Sequence, residues 1–172
     1  MILATQEVVS VESRDADTSD GRTETANQRA DRNWDELMQE LRVTQTGTQI
    51  LTGFLLTIPF QQRFASLDEY QRNLYLVLVV LAVVATALVV APVSLHRALF
   101  RRRLKPELVG AGNWFARAGL LVLALVTSGV AMLLFDVVLD RSAGQLIGGL
   151  ALALLFVCWW LLPQVIARRA NR

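Results

Sequence analysis

The chain has one cysteine and one histidine among its 172 residues. The single Cys158 excludes an intramolecular disulfide and a thiolate metal centre, and its place in the last apolar run makes it a small packed hydrophobe. The single His96 lies beyond an apolar run, which makes it an interfacial side chain and leaves no Ser-His-Asp set to assemble. The sequence has no Gly-rich phosphate loop and no metal-ligand cluster. Carboxylates are also missing where an ion-coupled transporter would use them: Glu40, Asp136 and Asp140 fall at the edges of the apolar runs, not inside them. These absences point away from an enzyme, and no catalytic residue, cofactor or metal is expected.

What is present is hydrophobic. Such residues make up 53% of the chain, against roughly 45–50% in a soluble domain, and the excess lies after residue 50. Ten of the fifteen acids fall in the first 40 residues. Residues 1–32 hold seven acids, four arginines and no aromatic side chain. That composition cannot offset the entropy of ordering, which predicts a disordered acidic tail. Met1 to Thr5 lacks a basic leader segment, so internal apolar segments are expected to direct insertion.

Residues 33–172 are expected to form one all-α domain, an integral membrane four-helix bundle. Asn33 is read as the cap of the first helix, with Asp35 and Glu36 in its first turn. Leu37, Leu41, Thr44, Thr48, Leu51, Leu55 and Ile58 recur three and four apart along one face. The first span is set at about 43–60, with Pro59 at its far end. The others are set at about 74–93, 114–135 and 144–166, near the roughly 20 residues a bilayer requires. Tyr70 and Tyr75 are read as interfacial rings, and Asp136, Asp140 and Arg141 as a short polar turn. Arg117 is placed to snorkel from the start of the third span.

Lysines and arginines beside the spans set the orientation. Arg29, Arg32 and Arg42 precede the first span, and Arg63 and Arg72 follow it. Arg97, Arg101, Arg102, Arg103, Lys105 and Arg117 surround the middle loop. Arg141 stands alone in the third, and Arg168, Arg169 and Arg172 close the chain. This alternation places both termini and the middle loop in the cytoplasm, with the protein in the cytoplasmic membrane.

Three constellations carry interest. A polar arc on the first helix, Arg42, Gln45, Gln49 and Thr52, faces away from Val43, Ile50 and Phe54. It suits either interhelical hydrogen bonds or the lining of a small pore. The basic set Arg97, Arg101, Arg102, Arg103 and Lys105 suits anionic lipid headgroups; nothing folded accompanies it that would suit nucleic acid. Gly144 and Gly148 form a small-xxx-small pair for close helix packing, either within the chain or with another protomer.

The block Glu40-Leu41-Arg42-Val43-Thr44-Gln45-Thr46-Gly47-Thr48-Gln49-Ile50-Leu51, with Phe54 to Phe60, Arg63-Phe64 and the later His96-Arg97 to Glu107-Leu108, resembles an actinobacterial family of small four-span membrane proteins of unknown function. Some relatives of that family carry an automatic sodium/proton antiporter label. The resemblance implies a location in the cytoplasmic membrane and no established activity. The expected role is therefore an accessory or scaffold subunit of a membrane complex. The alternative is a small oligomeric transporter or channel.

Overall fold

The computed structural model describes residues 16–17, 24–99 and 105–170. Four long helices run up and down. They are α1 (Ala26–Thr57), α2 (Glu69–Leu99), α3 (Lys105–Val138) and α4, which comprises Arg141–Phe156, a π-helical turn at Val157–Leu161, and Leu162–Ala170. Two short 3₁₀ segments, Ile58–Phe60 and Gln62–Ser66, link α1 to α2. A two-residue antiparallel pair, β1 (Ala16–Asp17) with β2 (Glu24–Thr25), precedes α1. Among the described residues three helices are long and apolar enough to cross a membrane: Glu69–Leu95, Gly110–Val138 and Arg141–Arg169.

Several expectations are corrected here. The first helix begins at Ala26, so residues 26–32 are helical and Asn33 lies inside the helix instead of capping it. The reason lies one turn on, where Trp34 is buried to 8% exposure and gives the segment something to pack against. The rest of the acidic tail falls on residues outside those described, apart from the strand pair. Asp136 belongs to α3, not to the turn after it. Tyr75 is buried, not interfacial; its hydroxyl donates to the Leu55 carbonyl at 3.0 Å. That carbonyl stands four residues before Pro59, which has no N–H to offer it. Phe64 meets the Tyr75 ring edge-on at 5.2 Å.

The helices pack through seams that repeat every seven residues. Trp34, Leu41, Thr48 and Leu55 are buried on α1; Tyr75, Ala82 and Val89, with Leu78, Ala85 and Pro92, on α2; and Gly112, Gly119, Val126 and Leu133 on α3. A seven-residue apolar repeat keeps one face toward its neighbours over the whole helix and favours left-handed supercoiling. Leu55, Tyr75, Leu78, Ala82, Val126 and Leu133 form the central cluster. Helix α3 touches α1, α2 and α4, and the outer surfaces of the spans are apolar, as with Val80, Leu125, Leu134 and Leu150.

Gly144 and Gly148 seat α4 on α3. A Cβ on Gly144 would lie 2.7 Å from the Met132 carbonyl, and one on Gly148 would lie 2.7 Å from Met132 Cβ. The inward positions of α4 then run Gly144, Gly148, Ala151, Leu155 and Trp160, the last step being five residues instead of three or four. The π turn makes that step, with the Leu162 N–H donating to the Val157 carbonyl. Pro163, which withholds an N–H and crowds the carbonyl four residues back, follows immediately.

Three substitutions test this packing. Gly148→Leu is expected to destabilise the detergent-solubilised protein strongly, whereas Gly149→Leu, which meets nothing within 4 Å, is expected to leave it unchanged. Tyr75→Phe is expected to lower stability by about 1 kcal/mol, read by equilibrium unfolding in mixed micelles.

Candidate functional site

At the end of the bundle where α1 stops, a polar cluster joins three helices. Asp68 caps α2: its Oδ1 accepts from the Gln71 N–H at 2.8 Å, while its own N–H donates to Gln71 Oε1 at 3.1 Å. This reciprocal arrangement is a capping box, with Asp in place of Ser or Thr. The Gln71 amide also donates to Asp136 Oδ1 at 2.9 Å. Arg141, at the start of α4, bonds to Asp68 Oδ2 and lies 3.5 Å from Asp136 Oδ2. Its guanidinium also stacks over the Tyr70 ring, 4.0 Å from the centroid.

The two carboxylates differ in setting. The Asp136 side chain is 4% exposed and that of Asp68 52%. Asp136 Oδ2 has no hydrogen-bond partner among the described residues and faces the charge of Arg141. Asp140 caps α4, accepting from the Ala143 N–H at 2.8 Å and from the Ser142 hydroxyl. Backbone donation from Gln71 lowers the Asp68 carboxyl below its ordinary value of 3.8, with Arg141 acting in the same direction. Donation from the Ser142 hydroxyl and the Ala143 N–H lowers Asp140 likewise. Chemically, the cluster is a clamp: one guanidinium shared by two carboxylates holds the starts of α2 and α4 to the end of α3.

Beside it lies an apolar groove of about 240 Å³ between the end of α1 and α3, lined by Leu55, Ile58, Phe64, Leu133, Leu134 and Val137 among others. A second groove of about 240 Å³, at the other end, lies between Arg117 and Leu120 of α3 and Trp159, Trp160, Pro163 and Gln164 of α4.

The residues singled out from sequence are not brought together. Arg42, Gln45 and Gln49 are exposed on the outer side of α1 and Thr52 is half-buried. The Thr52 hydroxyl donates to the Thr48 carbonyl and that of Thr46 to the Arg42 carbonyl, so these hydroxyls are satisfied inside their own helix instead of bridging to another. Arg97 closes α2 and Lys105 opens α3; Arg101, Arg102 and Arg103 lie outside the described residues. Gly144 and Gly148 face α3. Sequence reasoning missed the clamp, although Asp68 and Gln71 three residues apart, ahead of an apolar run, carried the capping signal.

Residues 23–163 match the model of DUF6328, a family of unknown function. The chain belongs to that family. The DUF6328 match starts just before α1 and reaches Pro163, so the clamp, the α1 polar arc and both packing glycines lie within it. No curated protein and no solved structure matches the chain.

Removing Arg141 takes away the cation paired with the buried Asp136, so Arg141→Ala is expected to cost about 3 kcal/mol. Asp136→Asn, which removes the charge and keeps an acceptor for Gln71, is expected to cost less. Because folding depresses the carboxyl pKa of Asp68 and Asp140, their contribution is present above the ordinary value of 3.8 and is lost as pH falls through the lowered values. Unfolding measured from pH 7 to pH 2 should show this loss only at the acid end, and Asp68→Asn with Asp140→Asn should diminish it.

Proposed function

We propose that this DUF6328 protein crosses the cytoplasmic membrane four times, with both termini in the cytoplasm, and serves as a non-enzymatic accessory or scaffold subunit of a membrane complex. By composition α1 is the least apolar of the four helices, yet its contacts support a full crossing. At one end a Cβ on Gly112 would lie 2.8 Å from Leu37 Cδ2 and 3.1 Å from the Trp34 ring. At the other, Tyr75 bonds to Leu55. A helix held to α2 and α3 at both ends shares their depth. The stretch 43–60 then measures about 27 Å, close to the roughly 30 Å of hydrocarbon. The exposed Trp114 ring and the Arg117 and Trp159 level on α3 and α4 fit one interface. The actinobacterial origin suggested by the resemblance agrees with a cytoplasmic membrane.

The accessory role rests on one observation: below Arg42, α1 turns Gln45 and Gln49 outward, where lipid offers no hydrogen-bond partner. Another membrane helix covering that strip would satisfy it. A small transporter or channel is the second reading, favoured by the buried Asp136 within α3. Its position at the helix end and its attachment to Arg141 suit a structural role better. Contact with anionic lipid by the basic set is part of the proposal.

In a Cys158→Ala background, Arg103→Cys is expected to react with impermeant maleimide only from the cytoplasmic side, and Gln62→Cys and Ser142→Cys only from outside. Asp35→Cys, ahead of α1, is expected to react only from the cytoplasmic side; with three crossings it would share the side of Gln62→Cys. Extraction in mild detergent at native abundance is expected to yield an assembly larger than one chain. A lone monomer would remove the accessory role, and ion flux in vesicles abolished by Asp136→Asn would favour transport.

A further inference from the structure

We infer that the helix covering the outward strip of α1 is α1 of a second copy of this chain, in a two-fold dimer whose axis runs along the membrane normal. This rests on the membrane-spanning reading of α1 given above. The contact of Leu37 with Gly112 sets the register of α1 on α3, which brings Arg42 level with Arg117 at the interface. Gln45 then lies about 4.5 Å deeper along the axis, just inside the hydrocarbon, and Gln49 about 10 Å deeper, well within it. Both side chains are exposed, and neither has a hydrogen-bond partner among the described residues. The neighbouring threonines are already satisfied, Thr46 by the Arg42 carbonyl and Thr52 by the Thr48 carbonyl. Two carboxamides therefore remain open in lipid, where an unsatisfied amide costs several kcal/mol.

A second copy fits this demand because of symmetry and the chemistry of the group. An axis normal to the membrane puts the same residue of both copies at the same depth, so like meets like. A carboxamide carries two donors and an acceptor oxygen, and so pairs productively with its own image. Arg42, the one charge on the strip, lies at the aqueous end, where its guanidinium reaches water while its stem stays on the helix. The other outward side of α1, with Val43 77% and Phe54 69% exposed, makes no such demand and is left to lipid.

Cysteine crosslinking in native membranes tests this. In a Cys158→Ala background, Gln49→Cys and Gln45→Cys are expected to oxidise to a species of twice the monomer mass, and Phe54→Cys is not. Gln45→Leu with Gln49→Leu is expected to weaken self-association about tenfold, at roughly threefold per interhelical hydrogen bond. Both changes fall on exposed positions, so folding is preserved. A benzophenone side chain placed at position 49 separates the failures. Transfer to a different protein, with no symmetric disulfide, would overturn the dimer and leave the accessory role standing. Adducts to lipid alone would overturn both.

Discussion

The close approach of three helices to α3 is the constraint on which the rest of the bundle depends. Helix axes come near one another only where side chains are small, so the positions of glycine and alanine decide which faces meet. Gly112 admits Leu37 and Trp34 of α1, and Met132 receives Gly144 and Gly148 of α4. On the membrane-spanning reading, contact between apolar helices brings no hydrophobic gain, and van der Waals fit of this kind is the main source of association. The seven-residue spacing of the seams then keeps that fit in phase along helices of 31 to 34 residues in α1, α2 and α3.

Polar groups are handled by the same economy. Thr44, Thr46, Thr48 and Thr52 return their hydroxyls to the carbonyl four residues back, so α1 carries a polar composition with little cost to its packing. Thr48 is buried in the seam on that basis. Tyr75 supplies the donor that Pro59 withholds from Leu55, joining two helices with a group that would otherwise need one of its own. Asp136 is the costliest side chain in the core, and it is placed where Gln71 and Arg141 reach it.

Much of this was legible in the residues. The inward face of α1, from Leu37 to Ile58, followed from its three-and-four spacing, because helical periodicity depends on local geometry alone. The three long apolar helices were legible for the same reason. Where α1 begins was not, since Trp34 acts through Gly112, a residue remote in sequence whose nearness only the fold reveals. Tyr75 was misplaced because an amphipathic ring beside a polar loop suits an interface equally well. Asp136 was misplaced because a carboxylate two residues before a helix end looks like part of the turn until its partners at Gln71 and Arg141 are seen. The outward strip of α1 was visible as an arc, but which way it faces depends on the docking of α2 and α3.

The π turn of α4 bears on the side chains that helix turns inward beyond Leu155. Two glycines seat α4 on α3, and beyond Leu155 the next half-buried position is Trp160, stacked on Phe156. A groove opens at that end between Arg117 and Leu120 of α3 and Trp159, Trp160, Pro163 and Gln164 of α4. With a plain α-helical step of four, the position after Leu155 would fall on Trp159, so the π turn decides which of two adjacent indoles takes that place.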